Sequence, residues 1–384
     1  MKENVAKLNN CFGCSACASV CPKGIINMSE IDGFLQPEIY DVDNCIECGI
    51  CLKVCSYNIT SLVNPPQNLL HAYAATNIDL DVIKDSSSGG ISSELINTAL
   101  NLGMSAIGVQ YNYQTDKPEH YIINELAEAN KARGSKYLQS NLSYAMTNID
   151  WSKKYIVFGT PCQIASLYQY VKLRKKEANF IFVDFFCHGV PSYKLWRSYL
   201  KMLKIDPGTI KYVKFRTKDY GWQNSTKVFI EAKDKTIKPN PTKKDIFFKW
   251  FLGDRCLLKA CYDSCQFKQL NSFADIRIGD LWGSHFKEDK MGVSGILTLT
   301  KKGQEFLDQC NNISKTEVEP AVVLEGQMKA NARRSKSYKV ANIGLNRHVP
   351  LKTLNFVCDL IDNTYTLPKR LSRKIKSIKK NRKL

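Results

Sequence analysis

The sequence predicts a mixed α/β chain, α/β with α+β character, divided into more than one domain. Three observations carry this. The first 55 residues hold two copies of one cysteine-rich loop-plus-helix unit. Residues 155–187 alternate apolar strand, helix and apolar strand. At 384 residues and 44 % hydrophobic content, the chain exceeds one average domain and has ample apolar material for a large core.

The cysteine runs come first in the chain. Cys11, Cys14, Cys17 and Cys21 repeat 34 residues later as Cys45, Cys48, Cys51 and Cys55. Each run has the spacing C-x2-C-x2-C-x3-C, and Pro22 follows the first. Three closely spaced thiolates wrap one corner of a 4Fe–4S cluster, and the fourth ligand comes from the other run, as in bacterial two-cluster ferredoxins. On that pattern Cys11, Cys14, Cys17 and Cys55 hold one cluster, and Cys45, Cys48, Cys51 and Cys21 hold the other. Ser56 stands where a second proline is expected, which predicts a less rigid loop after Cys55. Zinc sites show two spaced cysteine pairs instead. A secreted disulfide knot fits poorly with a long chain and no signal peptide before the first run. Labile clusters and further free thiols point to a reducing cytoplasm.

Composition narrows the class. The net charge is +19, but residues 369–384 (KRLSRKIKSIKKNRKL) carry nine Lys or Arg and no acid. Without a zinc finger, an RNP signature or an aromatic-basic stripe, the charge does not read as nucleic-acid binding. Leu371, Ile375 and Ile378 make a thin apolar stripe on that basic tail. It reads as a solvated terminus or as a peripheral contact with an anionic membrane or acidic partner. No apolar run approaches the ~18–20 residues a transmembrane helix needs.

Four segments follow from the pattern: a ferredoxin-like domain over 1–64, the two halves 69–150 and 151–320 of one larger domain, and a helical 321–384 ending in the basic tail. Pro65-Pro66 marks the linker between the first two. The larger domain opens with a strand, His71–Thr76, then a Ser86-Ser87-Ser88-Gly89-Gly90 turn into a helix, Ile91–Leu102. A Ser/Gly turn at a helix N-terminus offers free backbone N–H groups suited to phosphate, although such turns are common. Tyr155–Phe158 and Asn179–Phe186 read as parallel strands joined by a helix over Ile164–Leu173. Their carboxyl ends place Cys162 and Cys187 on one rim. The helix N-terminus beside Cys162 favours its thiolate. Cys256, Cys261 and Cys265 are irregularly spaced. With Cys162 or Cys187 they read either as ligands of a third cluster or as reduced cysteines packed as small hydrophobes.

Together these motifs resemble the beta-subunit family of coenzyme F-420 (deazaflavin) hydrogenases and dehydrogenases. The resemblance covers residues 1 to about 320. It rests on the two cysteine runs, Ser87–Gly90, Arg133–Ser140 (RGSKYLQS), Gly159–Gln163 (GTPCQ), Phe186–Ser192 (FCHGVPS) and Ala274–Gly283 (ADIRIGDLWG). It implies a mixed α/β flavin-binding domain behind the ferredoxin domain. It also implies FAD near Ser88, Gly89, Gly90, Ser135, Lys136 and Gln139. A flavin would couple hydride donors to one-electron clusters. Lys136 then neutralises pyrophosphate or reduced flavin, or is a solvated surface lysine. Asp280 lies near a cofactor or is structural. His188 passes a proton or closes a turn. The implied function is an iron–sulfur flavoprotein oxidoreductase. Its partner is a redox protein or a reduced nicotinamide or deazaflavin donor. The alternative is an electron-transfer subunit serving a partner enzyme, in surface-polysaccharide biosynthesis, with no substrate of its own.

Overall fold

The computed structural model describes residues 4–5, 10–59 and 69–364. The proline linker and the basic tail, with its Leu371, Ile375 and Ile378 stripe, lie outside the described residues.

Thirteen strands are described, in chain order: β1 (Ile26–Ile31), β2 (Phe34–Ile39), β3 (His71–Asn77), β4 (Ser105–Asn112), β5 (Lys117–Ile123), β6 (Tyr155–Phe158), β7 (Phe180–Phe185), β8 (Ile210–Lys214), β9 (Phe229–Ala232), β10 (Lys235–Ile237), β11 (Ile276–Asp280), β12 (Ser294–Thr298) and β13 (Ile313–Glu317). Eight of them form one sheet in the order β13-β3-β12-β11-β7-β6-β4-β5. Its centre, β4-β6-β7-β11, is parallel, and both flanks are antiparallel. Strands from both halves of the larger domain interleave, so 69–150 and 151–320 build a single sheet.

Burial on both faces explains why β6 and the first four residues of β7 read as apolar runs, up to Asp184. Tyr155, Val157, Phe180 and Phe182 enter the core on one face, while Ile156, Ile181 and Val183 enter the other. A parallel strand covered on both faces is apolar along most of its length, and β7 admits the buried Asp184 because Arg277 pairs with it. The helix Pro161–Leu173 returns the chain from β6 to β7. It begins at Pro161, three residues earlier than its apolar pattern suggests, because proline is pre-set for the first helical position and Thr160 with Gln163 forms a capping box. Cys162 therefore lies inside the first turn.

The ferredoxin-like module is the β1–β2 hairpin with the short helices Ala16–Val20 and Ile50–Lys53. It is not a separate bead. Phe12, Val20, Phe34, Leu35 and Val54 join the same apolar core as the larger domain. Polar ties reinforce the seam. Tyr193 N–H donates to Gly33 O at 2.8 Å, and Glu30 pairs with Arg197 and Lys117. The C-terminal helices Tyr338–Asn346 and Leu351–Thr364 are fastened through Arg255, which bonds Asp359 and Asp362 at 2.8 and 2.7 Å.

Candidate redox site

The first sulfur set is wound by positive φ. Gly13 (61°) and Ser15 (67°) turn the loop left-handed just before its helix, and Gly13 N–H points at Cys11 Sγ, 3.1 Å away. A Cβ on Gly13 would fall 1.8 Å from the Gln139 amide, so only glycine allows this approach. Cys11, Cys14 and Cys17 meet Cys55 of the other run. Burial, then the neighbouring thiols, push Cys11 up to about 12 and Cys55 up to about 11, and raise Cys17 well above the thiol range. Thiols this buried and crowded stay protonated unless metal charge replaces their protons.

The second set, Cys21, Cys45, Cys48 and Cys51, lines an open cavity of ≈ 400 Å³. Cys21 thus stands with the first three cysteines of the second run, and Cys55 lies near Cys14 of the first. Among the described residues no cysteine forms a disulfide. Among the described residues, no three His, Cys, Asp or Glu side chains close on a single metal ion. In a four-iron cluster each thiolate serves a different iron, so the sulfurs surround a space rather than a point.

A third set lines a cavity of ≈ 530 Å³ between the module and the sheet. Cys162 reaches it from the end of β6, Cys187 from the end of β7, and Cys261 and Cys265 from the helix Lys259–Asp263 and just beyond. The two parallel strands deliver their cysteines to one rim, as expected. Cys14 of the first set lines the same cavity. Gly189 holds the Cys187 loop close to Cys261, where a Cβ would stand 3.3 Å from the Cys261 Cβ at a φ of 147°. Lys268 Nζ donates to the Cys187 and His188 carbonyls at 2.6 and 3.2 Å and puts a cation on the cavity wall. Burial, and after it the neighbouring Cys14 thiol, raises Cys162 well above the thiol range although it lies in the first helical turn.

Cys256 does not join this set. It is fully buried on another side, its carbonyl accepts the Ser192 N–H at 3.0 Å, and its thiol senses Arg255 and Cys358.

The residues expected to hold FAD divide. Ser88, Gly89, Gly90, Ser135 and Lys136 gather at one place, because Ser135 N–H donates to Ser87 Oγ at 2.9 Å. The turn is pinned to β12 by Ser88 Oγ donating to Val293 O and by Gly89 N–H donating to Ser294 Oγ. Cations surround it. Arg133 and Lys214 both pair with Asp85, and Lys218 Nζ donates to Ser88 O at 2.7 Å. Burial pushes Lys136 and Lys218 down to about 7. Ser86 Oγ and Thr217 Oγ1 are buried without a hydrogen-bond partner. Gln139 is elsewhere. Its Oε1 accepts Leu35 N–H at 2.7 Å and its Nε2 faces the Phe12, Gly13 and Leu35 carbonyls, so the side chain is consumed by the seam.

His188 is also occupied on both nitrogens, by Asp254 Oδ1 at 2.7 Å and Met328 Sδ at 3.3 Å. Asp280, half-buried, accepts from the fully buried Arg216 at 2.8 Å and from Trp222 Nε1 at 2.9 Å. Lys218, Arg216 and Lys268 were not signalled by the sequence, being single basic residues far from the motifs they join.

Two ferredoxin-type sulfur sets, one buried and one open to solvent, packed against a mixed sheet place the chain among oxidoreductases of the iron–sulfur electron-transfer class. The chain belongs to the coenzyme F-420 hydrogenase/dehydrogenase beta-subunit family. The family's N-terminal model matches residues 72–147, its C-terminal model matches 152–323, and a 4Fe–4S dicluster domain matches 10–59. An uncharacterized protein of Methanocaldococcus jannaschii is 26 % identical over 249 residues, spanning 55 % of this chain and 68 % of its own length. A chain in a structure of the F-420-reducing NiFe hydrogenase complex from Methanosarcina barkeri aligns over 75 % of this chain and 91 % of its own, at 17 % identity and a TM-score of 0.49. Among the described residues no helix is long and apolar enough to cross a membrane.

Proposed function

We propose that this chain is an iron–sulfur flavoprotein oxidoreductase that passes electrons between a two-electron donor or acceptor at FAD and 4Fe–4S clusters. In this reading Cys11, Cys14, Cys17 and Cys55 hold one cluster, Cys45, Cys48, Cys51 and Cys21 a second, and Cys162, Cys187, Cys261 and Cys265 a third. The observation that carries it is the shared wall of the large cavity, where Cys14 stands beside the other four sulfurs. The three sets then lie in series, from the exposed Cys48 through the buried Cys14 to the rim of the sheet.

FAD, when bound, supplies the exchange between paired and single electrons. The Ser86–Gly90 turn, Ser135, Arg133, Lys136 and Lys218 fit its pyrophosphate. The unpartnered Ser86 and Thr217 hydroxyls are donors awaiting an acceptor, and two lysines near neutrality gain by meeting an anion. Lys268 balances part of the negative charge that four thiolates bring to the large cavity.

The test is anaerobic purification followed by optical titration with NADH, NADPH and reduced deazaflavin in turn. Brown protein with bound FAD, bleached by one of these donors, supports the reading. Colourless, flavin-free protein ends it. The exposed loop around Cys48, with Tyr40, Val42 and Ile46 on the surface, favours a second reading, an electron-transfer subunit that meets a redox partner protein there. Steady turnover of the isolated chain with a donor and a dye counts against that second reading.

A further inference from the structure

We infer that Ser166 tunes the inner ferredoxin cluster through a hydrogen bond to Cys14, and that Ser56 sets the direction of this bond. Ser166 lies on the helix Pro161–Leu173, in the larger domain, and is fully buried. Its Oγ is 3.0 Å from Ser56 N and 3.3 Å from Cys14 Sγ. The Ser56 amide can only donate, so the Ser166 oxygen accepts it. The single hydroxyl hydrogen is then free to point at Cys14. A ligating cysteine is a thiolate and has no proton to give. The three groups therefore form a one-way relay, from Ser56 N–H to Ser166 O–H to the Cys14 sulfur.

Ser56 is the residue that replaces the proline expected after the second cysteine run. A proline there has no N–H and could not orient the hydroxyl. The apparent loss in the sequence is a gain of one donor, which ties the loop after Cys55 to the other domain.

A hydrogen bond to a ligand sulfur favours the more negative, reduced cluster and raises its potential. Charge-assisted bonds of this kind are about twice as strong as neutral ones, and a buried relay polarises its members. The relay thus makes the inner cluster the better electron acceptor, beside the large cavity that Cys14 also lines. This rests on Cys14 being a cluster ligand, as proposed above.

The test uses the full chain, purified anaerobically, with the clusters titrated against potential by electron paramagnetic resonance. Ser166→Ala should lower one midpoint by about 59 mV, a tenfold shift in the ratio of reduced to oxidised cluster, and leave the others in place. Ser56→Pro should shift the same midpoint downward by less, since the hydroxyl remains but is no longer directed. Ser166→Thr, which keeps the hydroxyl, should restore the wild-type value. Iron content separates the two ideas at stake. Iron-free protein would refute the cluster reading itself. Iron-replete Ser166→Ala and Ser56→Pro proteins with unshifted midpoints would overturn the relay alone. If Ser166→Ala does not retain its clusters, an unshifted Ser56→Pro midpoint is by itself sufficient to overturn it.

Discussion

Replacing Gln139 with alanine should loosen the ferredoxin module from the larger domain. The side chain is almost wholly buried, and it answers the buried Leu35 N–H at 2.7 Å. Its amide nitrogen faces three carbonyls at 3.3–3.4 Å, and two hydrogens can serve two of them at once. Truncation strands one buried donor, at about 1–3 kcal/mol, and forfeits two donated bonds at about 1 kcal/mol each. The sum is about 3–5 kcal/mol. With a urea slope near 2 kcal/mol per M, the midpoint for loss of visible cluster absorbance should fall by about 1.5–2.5 M. The assay is a urea titration of anaerobic holoprotein, followed by visible absorbance and circular dichroism together. An unchanged midpoint with loss of FAD would refute the argument and return Gln139 to the flavin site.

Other consequences can be checked alongside. Arg277 and Asp184 are both fully buried and bonded through two short contacts, 2.7 and 2.6 Å. Arg277→Met leaves the buried carboxylate without a counter-charge, with the Ser272 hydroxyl still donating to it, and should cost about 3–5 kcal/mol in the same titration, part of which Asp184→Asn recovers. Lys136 and Lys218 have folded pKa values near 7, against about 10.4 unfolded. Between those values the unfolded chain binds more protons, so each lysine's contribution to stability rises from about pH 7 to about pH 10 and is least favourable below pH 7. Melting of flavin-free protein should therefore show a gain from pH 7 to 9 that is smaller in Lys136→Met and Lys218→Met. The difference between variants isolates the lysines from the buried thiols, whose raised values act in the opposite direction. Pyrophosphate should reduce the difference as well, by holding the lysines charged.

Much of this was legible in local spacing. The duplicated cysteine runs carried the ferredoxin module, and the two apolar strands with their connecting helix placed Cys162 and Cys187 together. What the sequence concealed depends on partners far along the chain. Cys256 looked equivalent to Cys261 and Cys265, but its carbonyl accepts the Ser192 N–H and its thiol is fully buried away from the residues that line the cavity. Gln139 lay within a motif suggestive of cofactor, yet its partners are Phe12, Gly13 and Leu35. Ser56 looked like a missing proline until Ser166, 110 residues away, gave its N–H a purpose. Arg216 and Lys218 had no motif at all. Periodicity and ligand spacing are local quantities, whereas hydrogen-bond partnership is settled by topology.

If three sets of four sulfurs each hold a cluster, the metal content of the chain follows. Iron and acid-labile sulfide should be counted per chain in anaerobic wild-type, Cys261→Ser and Cys256→Ser proteins. Wild type should hold about twelve irons, Cys261→Ser about eight and Cys256→Ser about twelve. Equal counts near eight in all three would contradict the third site, and zinc in place of iron would contradict the whole scheme.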